Sequence, residues 1–128
     1  MSWQEFEEEI RRILTIHGFE TAFRKVFRTE KRYEIDIIAE RFGIILAIDC
    51  KRYGKHRYRL SSIKREAEKH VKRCLEYEAF SGKKAVPVLV TFVQEDIILH
   101  KDCVIVPYER FNDFLCNLEL YLQLLGFY

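Results

Sequence analysis

Two apolar runs joined by a short turn make up the stretch YEIDIIAERFGIILAIDCK, which spans residues 33 to 51. The runs cover residues 33–40 and 43–50, and both are rich in isoleucine, a residue favoured in strands. The turn Glu40-Arg41-Phe42-Gly43 is short enough for an antiparallel hairpin. The stretch therefore predicts two adjacent, paired strands.

Periodic patterns on either side of this hairpin predict the other elements. Apolar residues at three- and four-residue steps predict a first helix from about Ser2 to His17, with Ser2 as its N-cap. Strands are predicted over 21–27, over 85–93 and near 103–106. An apolar stripe of Leu60, Ile63, Ala67, Val71, Cys74 and Leu75 predicts a second long helix, and a last helix follows from residue 111. The order αβββαββα, with one helix between the strands at 43–50 and 85–93, predicts an α/β fold with a mixed central sheet flanked by helices.

Composition limits the domain organisation and the class of protein. The chain has 128 residues, 48% of them hydrophobic, which suits one core and predicts a single domain over residues 1–128. The longest apolar run is far shorter than the ~20 residues of a membrane span, and the chain begins with acidic residues instead of a basic leader. The four cysteines form no CxxC pair, so we expect a reduced, cytoplasmic protein without a zinc site.

Positive charge is concentrated in one segment although the net charge is only +2. From Lys51 to Arg73 there are ten Lys or Arg residues and two acids, a segment charge of +8. A polyanion is the natural partner of such a segment. The alternative is a solvated helix face.

Two carboxylates are placed together by the predicted hairpin. Asp36 lies near the start of one strand and Asp49 near the end of its antiparallel neighbour, while alternation puts Asp49 and Lys51 on one face. Two hard oxygen ligands can hold Mg²⁺, with the backbone carbonyl of Cys50 as a third ligand, and Lys51 can orient the attacking water. This set of groups is what phosphodiester hydrolysis needs. The alternative is that both acids are strand-end residues paired with lysines.

Glu7 falls on the inward series of the first helix, beside Trp3, Ile10 and Leu14. A carboxylate on an apolar side needs a reason, and completing a metal cluster through a water would supply one. The alternative is a position at the rim of the stripe, paired with Arg11 four residues later.

The segment after Lys51 interleaves cations with aromatic residues, a composition suited to phosphates and to stacking on bases or sugars. Together with Lys69 on the following helix, it supplies the predicted DNA-binding residues Arg52, Tyr53, Lys55, Arg57, Tyr58, Arg59 and Lys69. The alternative is a solvated loop whose tyrosines pack on the domain. His70 faces the core side of its helix, and we interpret it as a core histidine.

The last helix is apolar around more of its circumference than a surface helix should be. Besides its inward stripe it carries Leu120, Tyr121, Leu124, Phe127 and Tyr128. We interpret this as a homodimer contact; the alternative is that the helix packs entirely into its own domain.

The chain resembles the PD-(D/E)XK nuclease superfamily, within it the catalytic domain of Mrr-like restriction endonucleases, and more distantly the archaeal Holliday-junction resolvases. The likeness rests on Phe6-Glu7, Ile13-Leu14, Gly18-Phe19, Ile35-Asp36-Ile37-Ile38-Ala39-Glu40 and Asp49-Cys50-Lys51-Arg52-Tyr53. The family usually has a glycine-rich approach to the first acid, where this chain has Lys31-Arg32-Tyr33-Glu34. The resemblance implies a three-layer restriction-endonuclease-like core and DNA cleavage with Mg²⁺ or Mn²⁺, with Asp36 and Asp49 as ligands, Lys51 beside the water and Glu7 in support.

The predicted function is therefore a metal-dependent DNA endonuclease that recognises backbone or shape more than base sequence. Two alternatives stay open. One is a catalytically silent nucleic-acid-binding module of the same fold, and the other is a structure-specific junction resolvase.

Overall fold

The computed structural model describes residues 2–51, 60–92 and 96–127. Their helices and strands are α1 (Trp3–Ile16), β1 (Glu20–Arg28), β2 (Arg32–Arg41), β3 (Ile44–Lys51), α2 (Leu60–Ser81), β4 (Val86–Thr91), β5 (Ile98–His100), β6 (Cys103–Pro107), α3 (Phe111–Cys116) and α4 (Leu118–Leu124), with a 3-10 turn over Tyr108–Arg110. The strands form one mixed sheet in the order β1-β2-β3-β4-β6-β5. The predicted α/β class with a mixed sheet flanked by helices is confirmed.

The sheet joins an antiparallel meander to a parallel core. The pairs β1/β2 and β2/β3 are antiparallel, whereas β3/β4 and β4/β6 are parallel. α2 is the crossover between β3 and β4, as the sequence predicts. No helix within the described ranges has the length and apolar character to cross a membrane.

Side chains of α1, α3 and α4 pack on one face of the sheet and those of α2 on the other. The first face holds the largest buried cluster, which includes Phe6, Ile10 and Leu14 of α1 and Leu118 and Leu122 of α4. The second face holds two smaller clusters under α2. The α1 stripe follows the predicted spacing, and the Ser2 hydroxyl accepts a hydrogen bond from the Glu5 N–H, as an N-cap should.

The inward face of α2 differs from the predicted stripe. Leu75 is exposed, whereas His70 and Tyr77 are buried with Ile63, Ala67 and Cys74. The polar His70 can be buried there because its Nε2 lies 2.7 Å from the carbonyl oxygen of Ala47, a hydrogen bond that satisfies one of its two ring nitrogens. The interpretation of His70 as a core residue is therefore confirmed, and its hydrogen bond ties α2 to β3.

Two features near the C-terminus differ from prediction. The short edge strand β5 was not predicted, because its turn to β6 is Lys101-Asp102, which has positive φ angles of 44° and 72° without the glycine that usually signals a hairpin. The last helix divides at Asn117, whose side-chain amide donates to the carbonyl oxygen of Asp113. Such local bonds compete with helix continuation.

The burial of Phe6 holds α1, and with it Glu7, against the sheet. Its fully buried ring lies 4.8 Å from that of Phe92 and 5.4 Å from that of Tyr108, measured between centroids. We expect Phe6→Ala to lower the free energy of unfolding by about 3 to 5 kcal/mol, measured by urea denaturation. Ile16→Ala on the same helix, at a side chain 67% exposed, should cost less than about 0.5 kcal/mol. Equal effects of the two substitutions would contradict this packing.

Candidate functional site

Asp36 and Asp49 meet at one end of the β2/β3 pair. The register pairs Ile37 with Ile48, so the next position along the two strands sets Asp36 against Asp49. The N–H of Cys50 donates to Asp36 Oδ2 over 2.9 Å, and the two carboxyl groups are close enough for each to shift the pKa of the other. The structure therefore places these two acids together, as the hairpin predicts.

The surroundings of the two carboxyl groups shift their pKa values in opposite directions. Burial, followed by the hydrogen bond and the negative charge of Asp49, raises the pKa of Asp36 to about 7. Burial opposes ionisation of Asp49 as well, but the imidazole of His70 and the hydrogen bond from Asp36 outweigh it and lower the pKa of Asp49. Two adjacent carboxylates cannot both ionise easily, so without a cation the pair holds one proton up to near neutral pH.

Two cations from different elements contact Asp49. Lys51 Nζ lies 3.2 Å and Arg73 Nη2 3.3 Å from Asp49 Oδ2. Glu66 of α2 approaches Lys51 in turn, with 3.6 Å between Oε2 and Nζ. The predicted apolar stripe of α2 sets Arg73 on the opposite side of the helix, away from the core, and this prediction is wrong because Arg73 faces the carboxylates. The spacing of Glu66 and Arg73, two helical turns apart, is the signal that could have identified this face.

The position of Asp36 depends on a reversal of strand faces. Ile35 and Ile37 are two residues apart, yet Ile37 packs in the α1-side cluster and Ile35 in an α2-side cluster. In a regular strand both would lie on one face, so β2 turns over at Asp36. Opposite Asp36 in the β1 register lies Arg24, whose φ of +50° is unusual for a residue with a side chain.

Glu7 points inward, as its helical series predicts, and only 3% of it is exposed. Its partner is Arg24, with 3.1 Å between Nη2 and Oε1, while Oε2 is buried without a hydrogen-bond partner among the described residues. Burial raises the pKa of Glu7, and the charge of Arg24 opposes that shift. The alternative of a pair with Arg11 is wrong, because the Arg11 guanidinium lies over the Phe23 ring, 4.6 Å from its centroid.

A cleft with a volume of about 620 Å³ contains the two aspartates and Lys51. The rest of its lining is strongly basic and includes two aromatic residues: Trp3, Lys31, Arg32, Tyr33, Glu34, Cys50, Lys69, Lys72 and Arg73. The segment Lys31–Glu34, which departs from the glycine-rich family pattern, thus forms part of this lining, as does the predicted DNA-binding residue Lys69. The other predicted DNA-binding residues, 52–59 in the chain, lie outside the described residues.

The acids present suit a hard divalent cation. Mg²⁺ commonly binds one or two protein carboxylates and keeps several waters, so the Asp36 and Asp49 pair is a sufficient protein contribution. Oε2 of Glu7, buried and without a hydrogen-bond partner among the described residues, is a further oxygen acceptor on the α1 side. Across residues 2–51, 60–92 and 96–127, no group of three His, Cys, Asp or Glu side chains is close enough to hold a metal ion together.

Comparisons with known proteins agree with this geometry. The profile of the Mrr_cat family, described as a restriction endonuclease, matches residues 1–92. An uncharacterized protein of Archaeoglobus fulgidus is 51% identical over 128 residues, which cover 99% of each chain.

Two solved structures are similar in fold. A crystal structure of a protein of unknown function, AF1548, has a TM-score of 0.56 at 27% identity; the match covers 71% of this chain and 48% of that one. The small subunit of the heterodimeric restriction endonuclease R.BspD6I has a TM-score of 0.64 at 14% identity, covering 95% of this chain and 79% of that one. Because its profile match spans well over half the sequence, the chain belongs to the Mrr_cat restriction endonuclease family.

Proposed function

We propose that this protein is a Mg²⁺- or Mn²⁺-dependent DNA endonuclease whose active site is built on Asp36, Asp49 and Lys51. The observation that carries the proposal is the pair of carboxyl groups beside Lys51, with Asp49 buried and Asp36 half-buried, in a cleft lined with cations. A basic cleft attracts a nucleic-acid backbone, and the paired acids supply oxygen ligands where the scissile phosphate would lie.

Each group has a separate role in the proposed reaction. Asp36 and Asp49 would hold the cation, and the backbone carbonyl of Cys50 stays a predicted third ligand. The bound cation would polarise the phosphate and lower the pKa of a water molecule. Lys51 would orient that water and offset the negative charge that develops on the phosphate. Lys69, Lys72 and Arg73 would hold the phosphates along the α2 side of the cleft.

Glu7 keeps its predicted supporting role as part of this proposal. Its Oε1 is engaged by Arg24, whereas its Oε2 has no hydrogen-bond partner within the described part of the chain. A water-mediated contact from Oε2 to the cation is compatible with that arrangement.

A catalytically silent binding module is the alternative from a different class. A module that only binds DNA would bind it more tightly without the two acids, because they repel the phosphates unless a cation neutralises them. Their retention next to Lys51 favours the nuclease. A structure-specific junction resolvase needs the same chemistry, and cleavage of linear, flap and four-way-junction DNA side by side distinguishes it.

Asp49→Asn should abolish cleavage, with the rate falling at least about a hundredfold. The reason is that it removes the charge of a metal ligand at the site where the transition state is stabilised. DNA binding should stay equal or become tighter, since one negative charge is lost from the cleft. The measurement is cleavage of labelled DNA with Mg²⁺ or Mn²⁺ against EDTA. The matched control is Asp102→Asn, an exposed acid in the β5–β6 turn, which should cleave like the wild type. Undiminished cleavage by Asp49→Asn would place the active site elsewhere.

Without a cation, the folded protein should lose stability as pH rises from about 4 to about 7. The pKa of Asp36 is about 7 in the folded state against 3.8 for the ordinary group, so the folded state binds more protons over this range. The free energy of unfolding therefore falls with rising pH, by an amount on the order of a few kcal/mol.

Thermal unfolding in EDTA at pH 5 and pH 8 measures this effect. Asp36→Asn should flatten the dependence, and Mg²⁺ should raise the melting temperature of the wild type at pH 8 but not that of Asp36→Asn. A wild type as stable at pH 8 as at pH 5 in EDTA would contradict the proton-sharing pair.

We also propose that α4 pairs two copies of this chain. Of the residues that suggested this contact, Tyr121 and Phe127 pack against the chain's own core, contrary to that expectation, whereas Leu120 and Leu124 are 54% and 72% exposed. The fold neighbour R.BspD6I small subunit belongs to a heterodimer, which supports an assembly of such domains.

Mass measured by light scattering after gel filtration tests the pairing. The wild type should be a dimer and Leu124→Glu a monomer, because a buried charge at the contact is costly. Leu75→Glu, at a comparably exposed leucine of α2, should leave the mass unchanged. A monomeric wild type at high concentration would overturn the pairing.

A further inference from the structure

Arg24 has a backbone conformation that its residue type disfavours. Its φ of +50° lies in the left-handed region, in the middle of β1 and directly opposite Asp36. The Cβ of an L-residue crowds the following carbonyl there, so such residues persist only where the surroundings over-determine them. Non-glycine residues in this conformation cluster at functional sites. A glycine would adopt the same conformation without strain.

The side chain of Arg24 is held by two contacts on α1. Its Nη2 donates to Glu7 Oε1 over 3.1 Å, and its guanidinium lies 4.9 Å from the centroid of the Trp3 ring. The side chain is nevertheless 51% exposed. Within the described residues it donates one hydrogen bond, and a guanidinium has five N–H donors in a rigid fork. It is therefore fixed in orientation while keeping donors for a second acceptor.

Arg24 is not itself among the lining residues of the basic cleft, but it lies next to one of them. Trp3, which its guanidinium covers, lines that cleft together with Asp36 and Asp49, and so do Lys31 and Arg32 from the β1–β2 region. The cations of α2 line the same cleft. A DNA strand that reaches the aspartates would thus pass Arg24 on the α1 side and Lys72 on the α2 side.

We propose that Arg24 is a DNA-binding residue that contacts a phosphate of the strand in the cleft, with Glu7 and Trp3 holding its guanidinium in place. The inference deepens the proposed function, because it assigns a substrate contact at the same site. Glu7 then has a positioning role: Oε1 orients the guanidinium, whose remaining N–H groups bind the phosphate. Arginine suits this role better than lysine, since its planar fork can bond a carboxylate and a phosphate oxygen at once.

The competing explanation is that Arg24 only neutralises the buried Glu7. A double-mutant cycle separates the two roles, because Glu7→Gln removes the negative charge while the glutamine amide oxygen can still accept the hydrogen bond that orients Arg24. The variants are Arg24→Gly, Glu7→Gln and the pair combined, with Lys83→Gln as control. Lys83 is an exposed cation preceding β4, at the end of the sheet away from the aspartates. Circular dichroism checks folding, and Arg24→Asn replaces Arg24→Gly if the glycine variant does not fold, since asparagine tolerates positive φ.

Binding of a short fluorescein-labelled DNA duplex is measured by anisotropy in EDTA over a series of NaCl concentrations. Arg24→Gly should weaken binding about tenfold and lower the slope of log K against log salt by about one, in the wild-type and in the Glu7→Gln background alike. Lys83→Gln should leave that slope nearly unchanged. Unchanged affinity and slope on Arg24→Gly would overturn the inference. So would a loss of affinity that occurs only in the background that keeps Glu7. A wild type that binds no DNA would overturn it as well.

Failure of the Arg24 proposal can be told apart from failure of the nuclease proposal, because the two rest on different assays. Cleavage is assayed separately with Mg²⁺ or Mn²⁺, whereas the binding comparison is made without either metal. A wild type that binds DNA without cleaving it would overturn the nuclease, and the salt slopes would still decide the role of Arg24.

Discussion

Asp36 and Asp49 are held side by side in a poorly solvated position, where two negative charges repel each other strongly. The protein relieves this repulsion by leaving a proton on Asp36 and by bringing Lys51 and Arg73 to Asp49. Both measures are partial, since the pKa of Asp36 is near neutral and both cations lie beside the same oxygen of Asp49. A divalent cation held by Asp36 and Asp49 would offset the repulsion, which is why the arrangement suits metal-dependent chemistry.

The fold keeps the two acids together through backbone structure. The antiparallel register of β2 and β3 sets Asp36 against Asp49, and the reversal of β2 at Asp36 brings its carboxyl group to the N–H of Cys50. The hydrogen bond of His70 to Ala47 fixes α2 along β3, so that Arg73 reaches the same carboxylate. On the other face, the packing of Phe6 holds α1 so that Glu7 meets Arg24. The sheet and the helices on both of its faces therefore all bring charged groups to the same end of the sheet.

Much of this could be predicted from the sequence because the decisive contacts are local. The hairpin over residues 33–51 is a short-range feature, and pairing its strands was enough to bring Asp36 and Asp49 together. The inward orientation of Glu7 followed from helical periodicity. Arg73 was misplaced because the predicted stripe of α2 included Leu60 and Leu75, which are exposed, and so turned the assumed inward face away from Arg73. Arg24 was missed because a positive φ at arginine has no sequence signal, and β5 was missed because Lys101-Asp102 forms its turn without glycine.

The most direct measurement is a crystal structure of the protein grown with Mn²⁺, with data collected at a wavelength where manganese scatters anomalously. An anomalous peak within coordination distance of the carboxylates of both Asp36 and Asp49 is expected. Crystals grown with Mn²⁺ that show no anomalous peak beside these two carboxylates would contradict the proposed metal site.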